Sequence, residues 1–151
     1  MWFFSKSNSK AGALPFAWTP RDHATGHEPM DEDHRQLAAL VTEVEAIIAA
    51  RGDRNEAYRV MDLLVQTARD HFQREEAFMA EAGYGGLERH AAQHAELLAT
   101  CQDLLRQFKN GTLSGLALPT FLKNWLVPHI QGCDRQFVQE LRKVPGRLPL
   151  G

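Results

Sequence analysis

The chain has 151 residues, 44% of them hydrophobic and 24% charged, with a formal net charge of −2. This is the composition of one soluble domain large enough to bury a core, and it excludes a disordered chain. The small negative charge, without a Lys/Arg cluster, argues against a nucleic-acid partner, and no apolar run reaches the roughly 18 residues of a membrane span.

The opening MWFFSKSNSK has too short an apolar part, and no cleavage pattern, for a signal peptide. Two cysteines, Cys101 and Cys133, are too few for a disulfide framework and read as reduced, packed thiols. A cytoplasmic location is expected.

Residues 1–29 hold Trp2, Phe3, Phe4, Phe16 and Trp18 without a sustained period and read as an irregular N-terminal arm. Its aromatics are expected to pack on the body of the protein, with Trp2–Phe4 a candidate docking patch for a protein partner. His23 and His27 read as solvated loop histidines, although His27 stands two helical turns before His34.

A first long helix is predicted from Pro29, with Asp31, Glu32 and Asp33 in the first turn, where the helix dipole favours acids. Met30, His34, Leu37, Val41, Val44 and Ile48 alternate four and three apart, and Gly52 stops the pattern. A second helix, 55–81, is capped by Asp53 or Asn55. It aligns Met61, Leu64, Ala68, His71, Glu75, Phe78 and Ala82, and Gly83 closes it. In the third, 87–109, Leu87, His90, His94, Leu97, Cys101, Leu104 and Phe108 share a face, and Tyr84 packs in the turn before it. The fourth, 119–143, turns Leu122, Trp125, Leu126, His129, Cys133, Phe137 and Leu141 inward. Pro128 predicts a kink just before His129. Residues 144–151 read as a loose tail. Four helices of about 20–27 residues with short connections predict an all-α, up-down-up-down antiparallel four-helix bundle over residues 30–143.

Each stripe is apolar except at one level, which carries His34, then His71 and Glu75, then His90 and His94, then His129. Residues four apart share a helix face, so the His71/Glu75 and His90/His94 pairs each point one way. Asp134 follows His129 by five, about 140° round an α-helix. It is expected to reach in from the flank, helped by the kink.

One histidine on an apolar face is ordinarily a satisfied core residue. Five beside two carboxylates are not. A buried unpaired carboxylate costs several kcal/mol and an unsatisfied imidazole roughly 1–3, against a total stability of about 5–15. Metal cations remove the conflict, because ionised carboxylate and neutral imidazole become the favoured states. Seven ligands exceed the needs of one ion and suit two. Imidazole with carboxylate and no thiolate suits iron before manganese or zinc.

The pieces MDEDH (30–34), HFQREE (71–76), HAAQH (90–94) and WLVPHIQGCD (125–134) resemble the hemerythrins, specifically the single-domain bacterial kind. The resemblance runs from Trp18 to Leu141. It implies reversible, non-enzymatic dioxygen binding, for storage, delivery or sensing, at a non-haem di-iron centre. It implies that His90, His94 and His129 hold one iron and His34 and His71 the other. Glu75, Asp134 and a solvent-derived oxo or hydroxo group would bridge the two irons. The second iron would keep an open position for oxygen. Trp125 and Leu126 match pocket positions of the family, where a dry apolar wall protects bound oxygen.

Two rivals stand beside this reading. One is a di-iron redox enzyme, or a nitric-oxide- or peroxide-handling protein, on the same scaffold. Ferritin-like di-iron enzymes use carboxylate-rich sites with E-x-x-H motifs, whereas here five histidines accompany two acids. The other is a module that senses oxygen or iron and signals through a docked partner. A monomer or a small homo-oligomer suits a bundle of this size.

Overall fold

The structure, a computed structural model, describes residues 17–143. The aromatics from Trp2 to Phe16 and the tail 144–151 lie outside the described residues. Within 17–143 the chain forms helices α1 (Pro20–His23), α2 (Glu28–Ala49), α3 (Arg54–Glu81), α4 (Leu87–Lys109) and α5 (Ala117–His129). A π-helical turn (Ile130–Asp134) and α6 (Arg135–Arg142) follow. The α2/α3, α3/α4, α4/α5 and α2/α5 pairs pack together, which closes the four long elements into a ring. This is the four-helix bundle that the stripes predict.

The ends of the helices follow from local chemistry. Asp53 accepts a hydrogen bond from the Asn55 N–H and caps α3. At its other end Gly83 takes φ +68°, with Gly83 N–H bonded to Ala80 O and Tyr84 N–H to Met79 O. That pair of bonds is a Schellman stop, and it turns the chain sharply into α4. At the end of α2 the same two bonds recur, but Arg51, not Gly52, occupies the left-handed position at φ +55°.

Two apolar clusters fill the bundle. The larger holds Leu37, Val41, Leu64, Phe72, Leu97, Leu126 and Ile130 among others. The smaller holds Met30, Met79, Ala82, Phe137, Val138 and Leu141. In every helix the histidine level falls between residues of one cluster and residues of the other. The polar layer is therefore closed off from both ends of the bundle.

Four expectations need correction. Within the expected irregular arm, residues 20–23 form α1, capped by Thr19, and the 19–27 segment is strapped to the last third of the chain. Gln131 donates to the Asp22 carbonyl, Arg135 to those of Arg21 and Ala24, and Arg142 to that of Gly26, each at 2.9 Å. His23 and His27 are accordingly buried, not solvated. The fourth helix is not one α-helix over 119–143. It passes through Pro128 and departs from α geometry only at 130–134, where Arg135 N–H bonds back five residues to Ile130 O. In α4 it is Leu105, not Leu104, that is buried.

Candidate metal centre

Five imidazoles and two carboxylates meet at the polar layer, all of them buried: His34 from α2, His71 and Glu75 from α3, His90 and His94 from α4, His129 from α5 and Asp134 from the π turn. The π turn explains how Asp134 arrives. A turn closed by i→i+5 bonds takes about one residue more than an α turn, so a residue five past His129 returns to His129's own face. The rotation comes from the helix type, one turn after the proline.

The donor atoms fall into two groups, each within 4.8 Å: Glu75, His90, His94, His129 and Asp134, and His34, His71 and Glu75. Glu75 divides its oxygens between them. Its Oε1 lies 2.9 Å from His90 Nε2 and 3.2 Å from His94 Nε2, while Oε2 lies 3.6 Å from His71 Nε2. Asp134 does the same. Oδ1 is 3.1 Å from His90 Nε2 and 3.2 Å from His129 Nε2, and Oδ2 is 3.3 Å from His34 Nε2.

Two acids outside the seven set the tautomers. His71 Nδ1 donates to Asp33 Oδ2 at 3.0 Å, and His94 Nδ1 donates to Glu76 Oε2 at 2.7 Å, because an ionised carboxylate only accepts. Arg74 bonds Asp33 in turn at 3.0 Å. Each neutral ring then carries its lone pair on the inward Nε2. Yet His34 and His71 bring these atoms to 3.1 Å of each other, and His94 and His129 to 3.2 Å. Glu75 Oε2 and both Asp134 oxygens are buried and accept no hydrogen bond. A ring of electron-pair donors facing inward, with orphaned carboxylate oxygens, fits cations and little else.

The charge balance without metal says the same. Burial and the Asp134 charge push Glu75 up, but hydrogen bonds from His90 and His94 and the His71 charge hold it down at about 2. Burial also pushes Asp134 up, and the imidazoles of His129, His34 and His90 hold it well below the usual carboxylate range. Burial pulls His90 down, yet Asp134 and Glu75 beside it raise it to about 9. Both acids stay ionised, so the layer demands positive charge.

The walls are aromatic and apolar. Phe72 stacks on His94 at 3.8 Å between centroids, and half-buried Trp125 stacks on His129 at 4.3 Å. Leu126 is wholly buried in the larger cluster. Trp125 thus lies against the three-histidine group. Cys133 is half-buried, with Sγ 3.6 Å from Gln93 Oε1. Trp18, just before the strap, stacks on His23, and its ring centroid lies 6.4 Å from that of His34. The spacing reading missed Asp33, Glu76 and this strap. The two acids each adjoin a predicted ligand in sequence, and that adjacency was the available signal.

A four-helix bundle with a buried histidine-carboxylate metal centre is the class of protein that this arrangement defines. A sequence model of the hemerythrin HHE cation binding domain matches residues 25–141, and the chain belongs to the hemerythrin family. It is 31% identical to a bacteriohemerythrin of Methylococcus capsulatus, over 80% of this chain and 92% of that one. It is 28% identical to a myohemerythrin of Riftia pachyptila, over 82% of this chain and 91% of that one. A crystal structure of wild-type hemerythrin superimposes with a TM-score of 0.76 at 29% identity, covering 82% of this chain and 95% of that one. Hemerythrins are oxygen-binding proteins with a non-haem di-iron centre, not enzymes.

Proposed function

We propose that this hemerythrin binds dioxygen reversibly at two iron ions, one held by His90, His94 and His129 and the other by His34 and His71. Glu75 and Asp134 would hold both irons between them, together with a solvent-derived oxo or hydroxo group. The observation that carries this assignment is the division of both carboxylates between the two imidazole groups, with Glu75 Oε2 and both Asp134 oxygens left without hydrogen bonds. When bound, the iron pair supplies the electrons that dioxygen needs in order to bind.

The side chains do the rest. Asp33 and Glu76 hold His71 and His94 with Nε2 inward, which fixes the ligands before metal arrives. Phe72, Leu126 and Ile130 form a buried wall that keeps water and stray protons from the centre. Trp125 supports His129 from the same apolar side. Five imidazoles to two carboxylates favour a carrier over the carboxylate-rich chemistry of the ferritin-like enzymes.

Metal analysis tests the assignment. Two irons per chain are expected, and a single zinc would contradict it. In the same reading the protein works in the cytoplasm, which suits two free thiols. We further propose the Trp2–Phe4 cluster as the docking patch for a protein partner.

A further inference from the structure

His27 begins α2 without a side-chain cap. Its ring lies flat on Phe78, centroids 4.6 Å apart and planes at 18°, and its Nδ1 is buried without a partner. The backbone beneath is fixed: His27 N–H donates to Thr25 Oγ1 at 3.1 Å, and its carbonyl accepts from Asp31 N–H at 3.0 Å.

Beside it is a cavity of about 170 Å³ lined by His27, Met30 and Phe78, by the exposed Arg74, and by His71 and Glu75 of the centre. His71 and Glu75 are only 1% and 2% exposed, so the inner end is closed to water. Of the two other cavities described, one touches no residue of the centre and the other reaches His90, in the three-histidine group. On the apolar side Leu126 and Ile130 are wholly buried and Phe72 nearly so, which offers no way in.

We propose that His27 gates a side entrance through which small ligands reach the two-histidine half of the centre. The proposal rests on the ligand assignment made above. Stacking on Phe78 holds the ring in, and the unsatisfied Nδ1, which regains water on swinging out, pushes it away. Two opposed tendencies of this kind leave the open rotamer close in energy to the closed one. Burial holds His27 below the usual imidazole range despite Asp31 nearby, so the stacked ring carries no charge to trap it.

The test compares wild-type, His27→Ala and His27→Phe full-length protein loaded with iron, using azide as the probe of the oxidised centre in stopped-flow absorption. A gate open about a tenth of the time slows entrance about tenfold, so His27→Ala should speed azide association and dissociation by about that factor. His27→Phe keeps the stack without the orphan nitrogen and should slow both. Affinity should move far less than either rate. Wild-type rates in both variants, at wild-type iron content, would overturn the gate and leave the ligand assignment standing. A second readout needs no iron: side-chain relaxation dispersion in the metal-free protein should show microsecond-to-millisecond exchange of the His27 ring. If the protein takes up no iron pair, the assignment falls. A static His27 ring in that case overturns the gate as well.

Discussion

Asp33 shows how much of the centre is decided by single residues outside the seven that meet in its polar layer. It takes the Nδ1 proton of His71 and is itself held by Arg74, and both neighbours, with His71 also through its charge, outweigh burial and keep its carboxyl below the usual range. Removing that charge leaves His71 a poorer and less well oriented ligand. We predict that Asp33→Asn weakens one of the two irons by about 10–100-fold and spares the other, read by competition with a chelator. Two equally affected irons, or none, would contradict the role. Asp33 was illegible as an orienting residue because an acid in a helix's first turn has a sufficient reason to be there already. Its second role depends on α3 packing alongside α2, which a one-helix reading does not contain. Glu76 escaped because its bond to His94 likewise depends on a neighbouring helix, here α4 packing alongside α3.

At the scale of the element, the helical stripes were legible wherever the α period held, because apolar and ligand residues three and four apart must share a face. They failed where the period changed. Asp134, placed on the flank by an α-helical count, stands inside because residues 130–134 form a π turn. Phe137, Val138 and Leu141 beyond it are all buried, so the extra residue is absorbed locally. Deleting Gly132 should therefore convert the π turn to an α turn, with histidine and aspartate four apart on one face. We predict that this variant still binds two irons, with a thermal midpoint within a few degrees of wild type. Loss of iron would mean that the π geometry itself is required. A second element carries an unneeded strain. Arg51 sits at φ +55°, where a side chain costs about 1–2 kcal/mol and glycine does not. Allowing for the freer unfolded chain, Arg51→Gly should stabilise the protein by about 0.5–1 kcal/mol in urea unfolding. No gain would show that the arginine side chain compensates through contacts of its own.

For the whole molecule, the ligand layer is held between two apolar clusters and covered at one side by the 19–27 strap. The bundle was legible; the strap was not. Its anchors, Gln131, Arg135 and Arg142, lie more than a hundred residues along the chain from the carbonyls they bind. No local pattern announces such bonds, and His23 and His27 therefore looked like loop residues.

The layer also governs how stability depends on pH. Glu75, held at about 2 against an ordinary 4.5, contributes stability that is full above 4.5 and lost as the pH falls toward 2. His90, raised to about 9 from 6.5, contributes stability that is full below 6.5 and lost as the pH rises through 9. The metal-free protein should be most stable between 4.5 and 6.5, with its urea midpoint falling on either side. Iron should abolish the alkaline fall, because the bound metal replaces the protons the imidazoles otherwise need. An alkaline fall that survives iron loading would mean that His90 is not a ligand.

Reversible oxygen binding at a buried iron pair is read out by absorption spectroscopy of the iron-loaded protein. The anaerobically reduced protein should be nearly colourless, develop a charge-transfer band when oxygen is admitted, and lose that band when oxygen is removed, through repeated cycles. A single irreversible oxidation, with no band that follows oxygen up and down, would contradict the account.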